Sequence, residues 1–297
     1  PEKNIVWVVP FPAGGSTDVF ARPIVSHVSE TLGQTVVVDN RGGAGGTVGA
    51  AQVARSAPDG YTMLVGYTGL TYASLVYRQP GFELMRDFAP ICAVARTPTV
   101  LVVNPERLDV STLAQFIEAA RRNPGSIDMA SAGLATLQHL AIVMLQNRVG
   151  IELHHVPYRG GPPAMQDLLG GQVAGMFHSV GAVEPYVTAG KLRALAVAGR
   201  RREALLPDVP TMDEAGVKDF RAATWFGLFA PRRTPEAILD RMHAAVQAAL
   251  DSDEVKRVWV EQGAKVELES RADFTSFVDQ EGRRWADIVK VAGVEME

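Results

Sequence analysis

Cysteine is almost absent from the sequence, and its scarcity excludes a disulfide framework. Cys92 is the single cysteine among 297 residues, so no intrachain disulfide can form, and neither CxxC nor zinc-type cysteine spacings occur. Cys92 lies in an apolar run, residues 89–95, where we expect a small buried side chain. So little cysteine fits either the cytosol or the periplasm.

The sequence also lacks a long apolar run. No stretch approaches the roughly 18 apolar residues that a membrane-spanning helix needs. No signal peptide is visible, because the chain begins at Pro1 without an initiator methionine and enters a strand-like run within a few residues. A mature exported protein begins in this way, so we expect that a signal peptide was removed before Pro1.

Positive charge is not in excess either. The formal net charge is −4, which argues against nucleic acid as a partner because nucleic-acid-binding proteins usually present a basic face. Hydrophobic residues make up 47% of the chain and charged residues 21%, which is ordinary for a globular protein. At roughly 100–200 residues per domain, the length suggests two domains.

The familiar catalytic motifs are missing as well. The sequence contains no HExxH, no Gly-x-Ser-x-Gly elbow, no His–Cys cluster, no paired acidic motif and no P-loop. His154 and His155 are neighbours on a predicted strand, so their side chains point to opposite faces and cannot act together as local metal ligands. We therefore expect no metal, no cofactor and no enzymatic activity, since glycine turns and hydroxyls hold a ligand but do not break bonds without a nucleophile or base.

What the sequence does have is an alternation of short apolar runs and helical patterns. Strands are predicted over 5–10, 35–39, 61–65, 100–103, 127–130, 153–156, 173–177 and 192–198. Helices are predicted over 17–32, 47–55, 111–122 with Ser111 as N-cap, 136–149, 163–169 and 182–189. This order predicts an α/β fold of two lobes, each a mostly parallel sheet flanked by helices.

The last part of the chain is predicted to be helical over 235–250, 252–262 and 271–291. A strand over 224–231 (TWFGLFAP) precedes these helices, and we interpret it as the return crossing from the second lobe to the first. Lobe one is therefore predicted to be discontinuous and to comprise residues 1–100 plus 226–297. Lobe two is predicted to comprise residues 101–225.

The first candidate binding element is the turn over residues 10–18 (PFPAGGSTD), where a predicted strand ends and a helix begins. Ligands of open α/β sheets bind outside the carboxyl ends of strands. Gly14 and Gly15 allow close backbone approach, Ser16 and Thr17 add hydroxyls, and the first-turn amides have no helical acceptor, so the stretch could seat an anion. It fits equally a tight turn and a capped helix with Asp18 in the first turn.

A second glycine-rich stretch, residues 41–46 (RGGAGG), also follows a predicted strand. It lacks the lysine of a phosphate-binding loop, and GxGxxG is not present at the first turn. We therefore interpret residues 41–46 as a structural turn that lets the next helix pack closely.

Polar residues follow several other predicted strands. They are Tyr67 and Thr68 in lobe one, and Ser131, Gly133, Gln138, His139, Tyr158, Arg159, Gly160, His178 and Ser179 in lobe two. Taken alone, His139 is better explained as an ordinary, partly buried helix histidine. Arg159 fits equally a fork for a carboxylate and a solvated charge at the rim.

Taken in order, these segments resemble one known family. The matching segments are VPFPAGGSTD (9–18), VVVDNRGGAGGTVGA (36–50), PDGYTML (58–64), SAG and QHL (131–140), VPYRGG (156–161), DLLGGQV (167–173), LPDVPTMDEAG (206–216) and the strand around Trp225. Each match alone is weak, but their order is specific and runs essentially from end to end. The chain is similar to the tripartite tricarboxylate transporter substrate-binding receptors, also called Bug proteins.

The resemblance implies a periplasmic, two-lobed binding protein whose lobes close by a hinge on a small organic acid or other carboxylate in the inter-lobe cleft. The partners it implies are the permease subunits of a tripartite tricarboxylate transporter, and a monomer suffices for this role. The alternative is a ligand-sensing receptor for a two-component membrane sensor kinase, and an enzyme acting on a small carboxylate is a weaker one.

The resemblance assigns most ligand contacts to the turns at 14–18, 131–133 and 158–160. Together with the other polar residues at strand ends, the predicted ligand-binding set is Phe11, Gly14, Gly15, Ser16, Thr17, Asp18, Tyr67, Thr68, Ser131, Gly133, Gln138, His139, Tyr158, Arg159, Gly160, His178 and Ser179.

Two positions depart from the family's pattern. Ala135 stands where the family commonly has glycine, which alters the approach of backbone to ligand. His178 stands where many members carry an acid that would suit an ammonium group. We therefore expect this protein to prefer a carboxylate without an amine, although the same position also fits a packing role.

Overall fold

Nine strands and eleven α-helices alternate along the residues that the structure, a computed structural model, describes, which are 3–266 and 268–294. The strands are β1 (Ile5–Val9), β2 (Val36–Asn40), β3 (Thr62–Tyr67), β4 (Phe88–Val103), β5 (Asp128–Ser131), β6 (His154–Pro157), β7 (Gly175–Ser179), β8 (Arg193–Val197) and β9 (Ala223–Pro231). The α-helices are α1 (Ser16–Leu32), α2 (Thr47–Ala54), α3 (Ala73–Val76), α4 (Leu84–Asp87), α5 (Leu113–Arg122), α6 (Leu137–Val149), α7 (Gly161–Leu169), α8 (Val180–Thr188), α9 (Glu236–Leu250), α10 (Asp253–Glu261) and α11 (Arg271–Ala292).

The chain divides into two units, each built from more than one segment. Unit 1 comprises Pro1–Arg96, Trp225–Glu261 and Lys265–Glu297. Unit 2 comprises Thr97–Thr224 and Gln262–Ala264. Among the described residues, no helix is both long and apolar enough to cross a membrane.

The sheet of unit 1 places three turns at one edge. β1 pairs in parallel with β2 and with β3, and β9 runs antiparallel to β3 with Phe229 opposite Leu64. Four of the five residues of β1 are buried, as expected for a parallel strand that is covered on both faces. Because β1, β2 and β3 run in the same direction, the segments that follow Val9, Asn40 and Tyr67 all leave the sheet at the same edge.

An aromatic cluster fixes this sheet in unit 1. The rings of Trp225 and Phe274 lie 6.0 Å apart at 87°, and those of Phe229 and Phe274 lie 5.6 Å apart. Trp225 and Phe229 belong to β9, and Phe274 belongs to α11, so the C-terminal helix packs on the strand next to β3. Edge-to-face rings of this kind add to the burial that stabilises a core.

Unit 2 repeats the arrangement around β5. β5 pairs in parallel with β6 and β7, and β4 runs antiparallel to β7 and β8. Buried aliphatic side chains such as Val100, Ala130 and Met176 form the core. The carboxyl ends of β5, β6 and β7 therefore lie at one edge, where the turns after Ser131 and Pro157 and the start of α8 meet.

The predicted α/β alternation is confirmed, and a strand is present where one was predicted over 224–231, as β9 (Ala223–Pro231). Two details of the sequence reading were wrong. The predicted strand 100–103 is only the end of β4, a strand of 16 residues that also contains the apolar run around Cys92. Pro90 and Pro98 interrupt the apolar pattern of β4, and proline inside a run argues against a strand.

The second error concerns the start of α5. Ser111 is not its N-cap, because the Thr112 side chain accepts the hydrogen bond from the Gln115 amide at 3.2 Å. Thr112 has the extended backbone of a cap residue, with φ −134° and ψ 158°. Ser111 takes a different part, since its amide donates to the Gln115 side chain at 2.7 Å.

Candidate functional site

The candidate anion seat in unit 1 is the start of α1. Gly15 is the N-cap residue, with an extended backbone, and Ser16 is the first helical residue. The Gly14 amide donates to the Asp18 carboxylate at 3.0 Å, and the Gly15 amide donates to the Pro12 carbonyl at 3.3 Å. Both glycine amides are therefore used inside the turn. The amides that remain for a ligand are those of the first helical turn, which have no acceptor four residues earlier.

The side chains of this turn divide into an exposed one and two buried ones. Ser16 is exposed, whereas Thr17 and Asp18 are only 2% and 3% exposed. Of the two residues whose hydroxyls are predicted to face a ligand, only Ser16 is exposed. An anion at this turn would thus meet the Ser16 hydroxyl, first-turn amides and the positive end of the helix dipole.

Asp18 holds the turn together. Its carboxylate accepts hydrogen bonds from Arg22 Nε at 2.7 Å, from Asn40 Nδ2 at 3.0 Å and from the Gly14 amide at 3.0 Å. Asn40 Nδ2 also donates to the Phe11 carbonyl at 2.9 Å, which ties the end of β2 to the same turn. Asp18 thus stabilises the turn of the candidate anion seat, and both oxygens of its carboxylate already accept hydrogen bonds from the protein.

The charge state of Asp18 follows from these partners. Burial alone would raise the pKa of the Asp18 carboxyl, but the hydrogen bonds from Arg22, Gly14 and Asn40 outweigh it and hold the pKa below its usual value. Asp18 is therefore ionised at neutral pH, and the guanidinium of Arg22 balances its charge beside the seat.

The glycine-rich segment 41–46 packs against this turn, which confirms its interpretation as a structural turn. A Cβ on Gly42 would lie 3.2 Å from the Pro12 ring. A Cβ on Gly49, in the helix that follows, would lie 2.7 Å from the Arg41 carbonyl and 3.2 Å from Pro10. Any larger side chain at position 49 would therefore displace the backbone on which the first turn rests.

Tyr67 and Thr68, at the end of β3, lie next to the same turn, and their side chains form hydrogen bonds within unit 1. The Tyr67 ring meets Phe11 edge-to-face at 5.0 Å, and its hydroxyl donates to the Gly45 carbonyl at 2.6 Å. Burial raises the pKa of Tyr67 well above its usual value, so the hydroxyl stays neutral. The Thr68 hydroxyl is fully buried and accepts from the Trp225 amide at 2.9 Å. Their contact with a ligand stays a prediction.

Unit 2 brings two of its predicted turns together at the carboxyl edge of its sheet. The Tyr158 amide donates to the Ser131 carbonyl, and the Gly160 amide donates to the Ala132 carbonyl, each at 3.0 Å. Gly133 has φ +139°, and a Cβ there would lie 3.2 Å from the Tyr158 carbonyl. Only glycine tolerates both the backbone angle and this approach.

Two side chains at the start of α6 stabilise the turn over residues 131–136. Gln138 Oε1 accepts from the Ala132 amide at 2.7 Å, and His139 Nδ1 accepts from the Ala135 amide at 3.1 Å. Ala135 has φ +57°, a left-handed conformation that costs an alanine about 1–2 kcal/mol. The backbone conformation at position 135 is therefore one that glycine adopts more easily than alanine. The side chains of Gln138 and His139 stabilise the turn by accepting hydrogen bonds from its amides.

Sequence reasoning missed His155 as a member of this site. His155 Nε2 lies 2.6 Å from Ser131 Oγ, and its ring stacks on that of His139 with centroids 3.9 Å apart and planes at 6°. Burial, with the neighbouring His139 and His154, lowers the pKa of His155 to about 4. The strand alternation that separates His154 from His155 was the available signal: His154 faces the other way and meets Asp128 at 2.7 Å.

Tyr158 and Arg159 differ in whether their side chains are bonded within the protein. The Tyr158 hydroxyl donates to Asp167 at 2.7 Å, and burial together with this bond raises the pKa of Tyr158 to about 12. Tyr158 therefore contributes its backbone rather than its hydroxyl to the surface of the turn. Arg159 is exposed, and within the described part of the chain no hydrogen bond or ion pair engages its guanidinium.

His178, at the end of β7, presents an N–H donor. Its Nδ1 accepts from the Ser179 amide at 2.8 Å, so the ring proton is on Nε2. Nε2 lies 3.3 Å from the place where a Cβ on Gly161 would be, which puts it beside the turn 158–160. Burial lowers the pKa of His178 to about 4, so at neutral pH the ring offers a hydrogen bond without a charge.

The arrangement in unit 2 is suited to holding an acceptor group. Ser131 and His155 have the spacing of a nucleophile and a base, but Ser131 is fully buried and its hydroxyl also bonds to Gly133. A nucleophile must reach its substrate. Among the residues that the structure describes, no group of three or more His, Cys, Asp or Glu side chains could hold a metal ion.

Comparison with known proteins matches the chain over most of its length. The family model described as tripartite tricarboxylate transporter family receptor matches residues 20–294. A UPF0065 protein from the tcbD-tcbE intergenic region of Pseudomonas sp. (strain P51) is 40% identical over 290 residues, covering 97% of this chain and 86% of the relative. BugT of Bordetella pertussis is 36% identical over 299 residues, covering 100% of this chain and 91% of the relative.

Solved structures also match the chain over nearly its whole length. The periplasmic binding protein BugD superposes with a TM-score of 0.88 at 37% identity, with all of both chains covered. Rpa4515 of R. palustris, solved with adipate, has a TM-score of 0.91 at 36% identity, covering 100% of this chain and 99% of that one. MatC from Rhodopseudomonas palustris, with bound malate, has a TM-score of 0.86 at 33% identity, covering 97% and 99%.

Proposed function

The chain belongs to the tripartite tricarboxylate transporter receptor family, and on this premise we propose that it is a periplasmic solute-binding receptor that captures a small carboxylate and delivers it to the permease of such a transporter. The observation that carries the proposal is the start of α1, where first-turn amides and the exposed Ser16 stand over a turn that the ionised Asp18 holds. The adipate and malate of two relatives, both dicarboxylates, support this choice of ligand class.

In the proposed complex, one carboxylate of the ligand accepts hydrogen bonds from the Ser16 and Thr17 amides and from the Ser16 hydroxyl. Charge-assisted bonds at a helix N-terminus are stronger than bonds between neutral groups. Unit 2 contributes the backbone of its turns at 131–133 and 158–160, the Nε2–H of His178 and the guanidinium of Arg159. Micromolar affinity requires about −8 kcal/mol, which a few such bonds supply when water is excluded.

Hinge closure on the ligand is part of the proposal, since it is the usual motion of periplasmic binding proteins. Closure explains how a permease would distinguish loaded from empty receptor. Small-angle X-ray scattering should give a smaller radius of gyration on saturation with ligand, and an unchanged curve would contradict closure.

His178 narrows the proposed ligand further. A neutral N–H donor favours an acceptor such as a carboxylate or hydroxyl oxygen and gives nothing to an ammonium group. We therefore expect dicarboxylates without an amine to bind more tightly than aspartate or glutamate. Tighter binding of aspartate or glutamate than of matched dicarboxylates would overturn this part of the proposal.

The test is thermal stabilisation of the purified protein by a panel of mono-, di- and tricarboxylates, amino acids and aromatic acids. A ligand at a hundred times its dissociation constant stabilises the folded state by about 2.7 kcal/mol, which is a measurable shift. We expect a shift with one class of acid, and that acid should be recovered unchanged after hours with the protein. Turnover of the acid would favour an enzyme instead. If no carboxylate gives a shift, and mass spectrometry of the denatured protein finds no carboxylate already bound, the proposal fails.

A further inference from the structure

His155 lies where three elements of unit 2 meet. It belongs to β6, where it pairs with Met129 of β5, and its ring stacks on His139 near the start of α6. Its Nε2 is 2.6 Å from Ser131 Oγ at the end of β5. Although it was not predicted as a ligand residue, it therefore contacts both ends of the turn 131–136, directly or through His139.

The first link runs through Ser131. The Ser131 hydroxyl donates to the Gly133 carbonyl at 3.0 Å and accepts from the Gly133 amide at 3.1 Å. With the hydroxyl proton directed to Gly133, the short contact is a donation from His155 Nε2–H to Ser131 Oγ. Ser131 is fully buried, so water cannot replace this bond, and His155 thereby fixes the rotamer that shapes the backbone at Gly133.

The second link runs through His139. Its Nδ1 accepts from the Ala135 amide at 3.1 Å, which holds Ala135 in its strained left-handed conformation. The parallel face of His155, 3.9 Å away, keeps the His139 ring in the orientation that this bond requires. Asp128, the acid on the neighbouring strand, bonds to His154 instead, so the stacked pair carries no ion pair of its own among the described residues.

We propose that His155 is a positioning residue for ligand binding, which holds the turn 131–136 through Ser131 and through the ring of His139 without touching the ligand. This inference rests on the proposed function, which assigns the turn to the ligand. The bonds that His155 supports at Gly133 and Ala135 can also be observed without any ligand.

The first arm of the test measures amide hydrogen exchange in the ligand-free protein, in which the Gly133 and Ala135 amides are bonded to side chains. His155→Leu keeps much of the volume but removes the donor, and exchange at both amides should rise about tenfold. His155→Gln keeps an N–H donor near the Nε2 position and should restore most of the protection. His154→Leu removes the neighbouring histidine on the opposite face and should leave both amides unchanged.

The second arm measures binding by calorimetry with adipate and malate as probes, below the melting temperature of every variant. His155→Leu should weaken binding of the better probe about tenfold, and His155→Gln should stay within about threefold of wild type. Because part of the effect of His155 runs through Ser131, its substitution should cost less in a Ser131→Ala background than in the wild-type protein, which a double-mutant cycle detects.

Several results would overturn the inference. They are unchanged exchange in His155→Leu, equal loss of affinity in His154→Leu and His155→Leu, failure of His155→Gln to rescue, and strict additivity with Ser131→Ala. If the wild-type protein bound no carboxylate of the panel, the proposed function would fail and with it the role in ligand binding. The exchange arm would then still decide whether His155 holds the turn.

Discussion

Side-chain hydrogen bonds stabilise both the turn at the start of α1 in unit 1 and the turn before α6 in unit 2. The network in unit 1 is built around a charged group, whereas the network in unit 2 is built from neutral groups. In unit 1, an ionised carboxylate, Asp18, gathers a guanidinium, an amide side chain and a backbone amide. In unit 2, two stacked neutral imidazoles, His139 and His155, bond to a buried hydroxyl and a backbone amide. Exposed residues remain in both turns, Ser16 in unit 1 and Leu134 in unit 2.

The two turns should respond differently to acid. Hydrogen bonds and a cation hold the pKa of Asp18 below its usual value, so this carboxylate keeps its charge until the pH is low. Burial holds the imidazoles of unit 2 neutral, and each must gain a proton when the chain unfolds in mild acid. The two turns should therefore lose stability over different ranges of pH.

Among single substitutions, the largest expected effect is that of removing the carboxylate from unit 1. Asp18→Ala leaves the Gly14 amide, Asn40 and Arg22 without their shared acceptor and should destabilise the protein by about 2–3 kcal/mol, with loss of carboxylate binding. Chemical denaturation and calorimetry would measure both. Asp39→Ala, which removes a surface pair with Arg41, is the matched control and should cost less than about 1 kcal/mol. Equal effects of the two substitutions would show that Asp18 does not support the turn.

A second effect comes from the histidines of unit 2. The folded pKa of His155 and of His178 is about 4, below the ordinary value of 6.5, and that of His139 is also lowered. The unfolded chain therefore binds more protons between pH 6.5 and about 4, so the stability contributed by neutral imidazoles is complete above pH 6.5 and is lost as the pH falls through that window. We expect up to about 3 kcal/mol for each of the two larger shifts.

Hydrogen exchange measured residue by residue from pH 7 to 4 would test this prediction, after correction for the intrinsic pH dependence of exchange. Amides of β5, β6 and α6 should lose protection before those of β1 and α1. Loss of protection in unit 1 first, or constant stability down to pH 4, would contradict the expected difference in acid sensitivity between the two turns.

The smallest of these effects is expected from placing a charge in unit 2. His178→Asp replaces a neutral donor by an acceptor and should shift the ratio of affinities for a dicarboxylate and its amino analogue about tenfold toward the amine. Competition calorimetry with succinate and aspartate would measure the ratio. His154→Gln, at an exposed histidine, should leave the ratio unchanged, and an unchanged ratio in His178→Asp as well would assign His178 to packing.

The sequence predicted the parts of the site that are local. Strand ends, glycine turns and helix starts are defined by neighbouring residues, so the turns after β1, β5 and β6 could be placed from the pattern alone. The close packing of residues 41–46 was predictable for the same reason, because a run of glycines marks a close approach of backbone.

The parts that the sequence missed depend on contacts between distant residues. The hydrogen-bond network of Asp18 is one of them, because the phase of α1 buries this side chain at 3% exposure, where it meets Asn40 of β2 at 3.0 Å. Its contact with a ligand stays a prediction. The role of His155 requires the register of β5 against β6 and the stacking of His139, 16 positions earlier in the chain, on its ring. Neither the register of a parallel pair nor a ring stack leaves a short-range signal.

A crystal structure with a bound dicarboxylate, adipate or malate, would test the proposed binding site directly. We predict a carboxylate with an oxygen about 2.7–3.2 Å from the amide nitrogens of Ser16 and Thr17, with Asp18 still bonded to Gly14, Arg22 and Asn40. A ligand bound elsewhere, or one whose carboxylate leaves these two amides to water, would contradict the assignment of the seat to the start of α1.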